Sequence, residues 1–270
     1  MLAKDAACSA PLGVDRQLLQ DLVTANHILY DQGVLDAFGH ISVRHDKHPD
    51  RFLLARNMAP ALVTADDILE FDLAGNALDA AGHRVYLERF IHAAIYRARA
   101  DVMSVVHSHS PSVVPFSVVK RTPFRAVCHM SGFIGTSTPN FDIAEAAGDC
   151  TDLLITNMDL GNALAKALGD RSLVLMRGHG ATVVADGLKK AVYRAVYTEV
   201  NARTQAEASR LGEVTFLSEG ETRATAETIE TQVFRAWDFW KPKAAATVRG
   251  FSAALLQLGQ PGDAAGIDMV

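Results

Sequence analysis

Two histidines one residue apart, His107 and His109, and a third, His179, held between Gly178 and Gly180, are the side chains best suited to chemistry in this 270-residue chain. The pair ends the apolar run Val102 to Val106. Alternate residues of a strand lie on one side of the pleat, so both imidazoles can address one point. His179 follows a second apolar run, Leu173 to Met176, and its flanking glycines let backbone and ligand approach closely. Three neutral imidazoles bind a divalent cation and leave positions open for substrate. Glu88, at the start of the helix before the His107 strand, brings a carboxylate toward the same ion.

For these side chains to meet, two strand ends and a helix start must come together, and the apolar periodicity supplies such elements. Leu18, Leu19, Leu22, Val23, Ile28 and Leu29 recur at helical spacing between Asp15 and Tyr30, and Gly33 is placed to stop that helix. Extended runs at His40 to Arg44, Phe52 to Leu54 and Ile68 to Phe71 are parted by turn-forming stretches such as Leu73-Ala74-Gly75-Asn76 and read as neighbouring antiparallel strands. A helix from Leu87 to Arg99 leads into the His107 strand, and a further helix is expected from near Pro111. Ala163 to Leu168 reads as helix, Leu173 to Met176 and Thr182 to Val184 as strands, and Leu188 to Leu211 as a long helix. Beyond Glu219 one helix through Val233 and Trp237 is expected, then Lys241-Pro242-Lys243 and a Gly/Ala-rich tail. Tyr193, Tyr197, Trp237, Phe239 and Trp240 read as core or subunit-interface packing. The economical organisation is one α/β catalytic domain over residues 1–218, with residues 219–270 packing on it or on a neighbouring subunit.

A 49% hydrophobic content is enough for a substantial core, and a formal charge of -5 with a pI near 6.0 lacks the basic excess of a nucleic-acid-binding face. Small-molecule partners are therefore favoured. Cys8, Cys128 and Cys150 are odd in number and contain no C-x-x-C, so neither a disulfide framework nor a cysteine zinc site is expected, and a reducing cytoplasm fits. Met1 to Pro11 lacks a secretory apolar region and no apolar run is long enough to span a bilayer, so no membrane partner is expected.

Four strings in order, Gly39-His40-Ile41-Ser42-Val43-Arg44, Glu88-Arg89-Phe90, Val105-Val106-His107-Ser108-His109 and Gly178-His179-Gly180, resemble the class II aldolase/adducin family from about Leu18 to Leu211. The resemblance implies a three-layer α/β/α fold with a central, mostly antiparallel sheet and a homotetramer with sites near subunit interfaces. It also implies a divalent metal, Mn2+ ahead of Zn2+, held by His107, His109 and His179, with Glu88 as a further ligand or acid/base. Adducin-like assembly members lack these ligands, so their presence here implies an enzyme, with an assembly protein as one alternative.

Two departures bear on the reaction. Sugar-phosphate aldolases of the family carry Gly-Asn in the first string and two serines before the glutamate, which together hold a phosphate; here Gly39-His40 and Tyr86-Leu87 stand instead. Leucine donates no hydrogen bond to a dianion. The aldolase tyrosine that donates a proton across the interface is matched by His129. These changes resemble the branch that decarboxylates hydroxy-substituted ring or dienoate carboxylates. They imply a carboxy-lyase whose expected substrate is 3-hydroxy-2-methylpyridine-4,5-dicarboxylate of vitamin B6 degradation, with an aldolase or dehydratase of a sugar phosphate as the other alternative. Glu88 or His129 is expected to protonate the ring carbon. The second carboxylate of such a substrate needs a cation or donor, for which His40, Arg56, Arg84, Arg125 and Arg177 are candidates, while Arg44 and Arg89 are expected to support structure.

Overall fold

Asp15 begins the first helix as the spacing requires. Its carboxylate accepts from the N–H groups of Gln17 and Leu18, and α1 (Arg16–Asp31) buries Leu19, Leu22, Ala25, Ile28 and Leu29 along one stripe. The structure, a computed structural model, describes residues 13–258, so Cys8 and the tail beyond Leu258 lie outside it. The expected antiparallel neighbours follow as β1 (His40–Arg44), β2 (Arg51–Ala55) and β3 (Ile68–Asp72). Next come α2 (Arg89–Ala98), β4 (Ser104–Ser108), α3 (Val114–Val118), β5 (Asn140–Phe141), α4 (Ala144–Ala147) and α5 (Met158–Leu168). The chain continues through β6 (Leu173–Met176), β7 (Gly180–Ala185), α6 (Leu188–Leu211), α7 (Glu219–Ile229) and α8 (Val233–Leu258).

The strands form one sheet in the order β3-β2-β1-β4-β7-β6-β5, antiparallel throughout except between β5 and β6. Helices α1, α6 and α8 pack on one another and α2 packs on α5, giving helices on both sides of the sheet. This is the expected three-layer α/β/α fold of the class II aldolases. Strands β1, β4, β6 and β7 are buried along their whole length, as strands covered on both faces must be. Such strands read as continuous apolar runs, so the polar residues within them stand out.

Two expectations are corrected. The helix expected near Pro111 is the five-residue α3, which starts only at Val114, after a turn closed by the Val113 and Val114 N–H groups on the Ser110 carbonyl, while the Ser110 and Ser112 hydroxyls donate to the buried Glu199 carboxylate of α6. The C-terminal region forms two helices, and α8 runs straight through Pro242. Proline removes one backbone bond and crowds the preceding turn. Here Trp237, Trp240 and Ala244 are buried on either side of it, and Lys243 and Thr247 reach Asp31 of α1, so tertiary contacts carry the helix past the defect. Tyr193 is buried with these tryptophans, whereas Phe239 is exposed. Among the described residues no helix is long and apolar enough to cross a membrane.

Candidate metal centre

Strand register does the first part of the positioning. His40 of β1 pairs with His107 of β4, which in turn pairs with Thr182 of β7, so His40 and His107 stand side by side on the central strands. His109 lies just past the end of β4, and His179 lies in the tight turn between β6 and β7. Gly178 adopts φ +66°, which favours glycine, and a Cβ on Gly180 would overlap the Ser108 carbonyl. Only at that close approach does β7 deliver His179 to the end of β4.

Glu88 immediately precedes α2, where the helix N-terminus favours a negative charge. Its Oε1 accepts from the Ile155 N–H at 3.0 Å, which leaves Oε2 at 3.4 Å from the Nε2 atoms of both His107 and His179. His109 Nε2 lies 3.0 Å from His107 Nε2 and 2.9 Å from His179 Nε2. Among the described residues, Glu88, His107, His109 and His179 are the group whose ligand atoms all lie within 4.8 Å of one another.

The chemistry of this donor set fits a divalent cation. The His179 Nδ1–H donates to the Leu153 carbonyl at 2.8 Å, which leaves its Nε2 as a lone pair directed at the other two rings. Lone pairs that converge on one point are stable only with a cation or a proton between them. Burial, followed by the charges of His107 and His179, lowers His109 to about 4, so it holds its lone pair at neutral pH. Burial alone would raise the Glu88 carboxyl and lower His179, but His107 first and His179 second hold Glu88 well below the usual carboxylate range, and Glu88 in turn holds His179 above its ordinary value. The centre thus presents an ionised carboxylate beside three imidazoles, the composition of an open catalytic metal site.

A cavity of about 350 Å³ opens over this group. Phe38, Met58, Tyr86, Leu87 and Leu154 give it apolar walls, and His40, Asn57, Glu88 and His109 are the polar residues that line it. Tyr86 is held by a bond from its hydroxyl to the Met58 carbonyl at 2.5 Å and is pushed up to about 12 by burial, so it stays protonated. Its ring packs on His40, centroid to centroid at 4.6 Å. Behind His40 runs a buried chain. His40 Nδ1 meets His92 Nε2 at 2.6 Å, His92 Nδ1 meets Ser42 Oγ at 2.6 Å, and Ser42 Oγ meets the Tyr96 hydroxyl at 2.7 Å.

The structure therefore brings together His107, His109, His179, Glu88 and His40, but none of Arg56, Arg84, Arg125 and His129 lines the cavity. Arg56 is paired with Asp67 at 2.7 Å, Arg84 is exposed, and the Arg125 guanidinium lies 4.4 Å from the Phe216 ring centroid. Arg177 is paired with Asp142 at 2.5 Å. His129 is exposed at the start of a short 3-10 segment, His129–Ile134. Sequence reasoning missed His92 and Asn57. For His92 a signal exists: Glu88, His92 and Tyr96 recur every fourth residue on a helix whose other inward positions are apolar, a polar stripe facing the sheet. Asn57 sits in an irregular loop and leaves no such trace.

A family model described as Class II Aldolase and Adducin N-terminal domain matches residues 20–206. The chain is 38% identical over 245 residues to Decarboxylase tropJ of Talaromyces stipitatus, which covers 82% of this chain and 92% of that protein. It is 30% identical over 195 residues to a 3,4-dihydroxyphthalate decarboxylase of Arthrobacter keyseri, covering 67% of this chain and 74% of that protein. Among solved structures it is similar to an aldolase II superfamily protein from Pseudomonas syringae, with a TM-score of 0.71 and 19% identity over 87% of this chain and 95% of the other, a likeness of fold.

Proposed function

This chain belongs to the class II aldolase and adducin N-terminal domain family, and from that premise we propose that it is a divalent-metal-dependent carboxy-lyase acting on a hydroxy-substituted aromatic acid. The observation that carries the reading is the four-residue ligand group of Glu88, His107, His109 and His179, of which Glu88 and His109 line a cavity with largely apolar walls. Tyr86 and Leu87 line that cavity, at the positions that the resemblance matches to the phosphate-binding serines of the sugar-phosphate enzymes, and a flat ring suits such walls better than a phosphate does. Two decarboxylase relatives, one of them named for a dihydroxyphthalate, support the same class. The specific candidate remains 3-hydroxy-2-methylpyridine-4,5-dicarboxylate, which shares with 3,4-dihydroxyphthalate a hydroxyl, its neighbouring carboxylate and a second carboxylate on consecutive ring carbons.

His107, His109, His179 and Glu88 would hold the ion, with Mn2+ proposed and Zn2+ the alternative, since this donor set suits either. When bound, the ion supplies a Lewis acid that draws charge through the ring oxygen as the carboxylate departs. The carbon–carbon bond breaks with its electron pair left on the ring carbon, carbon dioxide leaves, and a proton must reach that carbon. Glu88 is held ionised, so it serves as ligand or base and does not itself supply the first proton. His129 is proposed as the donor, acting in the site of a neighbouring copy within a homotetramer, since its exposed position leaves the ring accessible to such a copy. Met58, Leu87 and Leu154 keep water from the ring face.

The test is a paired assay. Purified protein loaded with Mn2+ or Zn2+ is given 3,4-dihydroxyphthalate, the pyridine dicarboxylate and L-fuculose 1-phosphate, and carbon dioxide and aldehyde are measured. Chelator-sensitive carbon dioxide release from an aromatic acid is expected; aldehyde release from the sugar phosphate alone would overturn the proposal.

A further inference from the structure

Three imidazoles converge at the metal centre, and two of them have support besides one another. The His179 ring is fixed by its Nδ1 bond to the Leu153 carbonyl at 2.8 Å, and His107 is fully buried and paired in the ladder with His40 and Thr182. Among the described residues His109 has neither support. The sheet pairing of β4 ends one residue earlier, at Ser108, and the hydrogen-bond contacts of the His109 ring run from Nε2 to the other two imidazoles. A metal-binding histidine is normally oriented by a partner on the ring nitrogen that faces away from the ion. For His109 the orientation has to come through the backbone.

The next residue supplies it. Ser110 is 1% exposed, and its hydroxyl donates to Oε2 of Glu199, itself 6% exposed on α6, the helix that packs against β4 and β7. Glu199 Oε1 accepts from Ser112 Oγ at 2.6 Å and lies 3.3 Å from Arg203 Nε, so both oxygens of the buried group are engaged. The Ser110 carbonyl closes the same turn by accepting from the Val113 and Val114 N–H groups at 3.0 and 3.1 Å. On the other side of His109, the Ser108 carbonyl is pressed against Gly180. We infer that Glu199 is a positioning residue of the metal centre: through Ser110 and Ser112 it fixes the turn that follows His109, and thereby the direction in which the His109 Nε2 meets the ion. The inference rests on the reading of Glu88, His107, His109 and His179 as metal ligands, and not on the reaction assigned to the site. Other buried polar residues of α6 also hold passing segments. Asn201 accepts from the Val127 N–H at 3.0 Å and donates to the Arg125 carbonyl at 2.8 Å; Gln205 accepts from the Arg125 N–H at 3.2 Å and donates to the Pro123 carbonyl at 2.7 Å. Residues 123–127 carry no member of the ligand group, so Gln205 is a control with the same holding function and no ligand beside it.

Ser110→Ala cuts the bond nearest the ligand, Glu199→Leu cuts both bonds, and Gln205→Leu loosens α6 elsewhere. Mn2+ titration followed by electron paramagnetic resonance gives the affinity, and the visible absorption of Co2+-loaded protein reports ligand geometry apart from turnover. Ser110→Ala and Glu199→Leu are expected to weaken Mn2+ binding about 10- to 100-fold, the usual effect of losing a supporting partner, and to change the Co2+ band. Ser112→Ala, further along the turn, is expected to do less. Glu199→Gln, whose amide accepts from one hydroxyl and donates to the other, is expected to recover much of the loss, which mere filling of space would not do. Gln205→Leu is expected to lower the urea midpoint and leave both metal readouts at wild type. Ser110→Ala decides should Glu199→Leu fail to fold. Wild-type Mn2+ affinity and Co2+ spectrum in Ser110→Ala, or an equal change in Gln205→Leu, overturns the inference. A wild-type protein that takes up neither ion overturns the metal reading and the inference with it. Metal binding without aromatic decarboxylation sinks the proposed reaction alone, and the two metal readouts still decide the role of Glu199.

Discussion

At opposite ends of the β1–β4 ladder lie two buried polar clusters. At one end the Arg44 guanidinium meets four carbonyls, those of Val102 at 3.0 Å, Pro49 at 2.5 Å, Tyr96 at 2.8 Å and Arg99 at 3.0 Å. Every contact there joins a donor to an acceptor, and the cluster is closed to ligands. At the other end His107 Nε2, His109 Nε2 and His179 Nε2 face one another, with the Glu88 carboxylate beside them and the His40 ring 5.2 Å from that of His107. Like groups meet like groups, and a cavity opens above them. The same two strands thus build a piece of architecture at one end and a binding site at the other, and what separates the ends is whether the hydrogen-bond inventory cancels within the chain.

Substitutions at the two ends should fail in different ways. His107→Ala is expected to abolish stoichiometric metal binding and lower kcat for the aromatic acid by about 10³-fold or more, the several kcal/mol that a lost metal withdraws from the transition state. Its metal-free unfolding midpoint reports separately what is lost by emptying a fully buried ring beside the Glu88 carboxylate. Metal analysis, turnover and urea titration check this, and a variant that keeps its ion and its rate would break the contrast. Arg44→Met is expected to do the reverse. Four carbonyls lose their donor in a buried setting, a cost of about 3–5 kcal/mol seen in urea unfolding, while the molecules that remain folded bind metal as before. Loss of metal with stability intact would mean the Arg44 end also serves the site.

The sequence showed the open end more clearly than the closed one, for physical reasons. His107 lies near the end of β4, and His109 and His179 directly follow β4 and β6, strands made largely apolar by cover on both faces of the sheet, so each imidazole is conspicuous there. The capped helix α1, the exact bounds of β1 and β6 and the long α6 followed from periodicity and turn residues. The course of α8 through Pro242 did not, because local propensity argued for a stop and distant burial of Trp237 and Trp240 overrode it. Among the candidates for a second carboxylate, His40 was placed by its register with His107, whereas Arg56 and Arg125 were drawn away by Asp67 and Phe216, partners that no local spacing reveals.

A smaller effect sharpens the contrast by pH. His92 is buried at the open end with its pKa pushed down to about 3, and His40 beside it is also lowered, both chiefly by burial. In the unfolded chain each histidine takes up its proton near the ordinary value of about 6.5. Between those limits the unfolded state holds more protons than the folded one, so stability falls as pH falls, by up to about 1.4 kcal/mol per pH unit for each such group. Asp67, whose carboxyl is lowered by Thr64 and Arg56 against the effect of burial, adds its own acid-side loss only below about pH 4. Arg44 does not change charge anywhere in this range. With metal removed and urea midpoints taken from pH 4.5 to 6.5, Arg44→Met should therefore lie below the wild type by a constant amount, whereas His92→Phe should show a shallower slope because one proton-binding group has left the unfolded state. His27, lowered by its own burial, titrates alike in all three proteins and cancels from the comparison. Parallel curves for His92→Phe and the wild type would mean that His92 already carries its second proton in the folded chain.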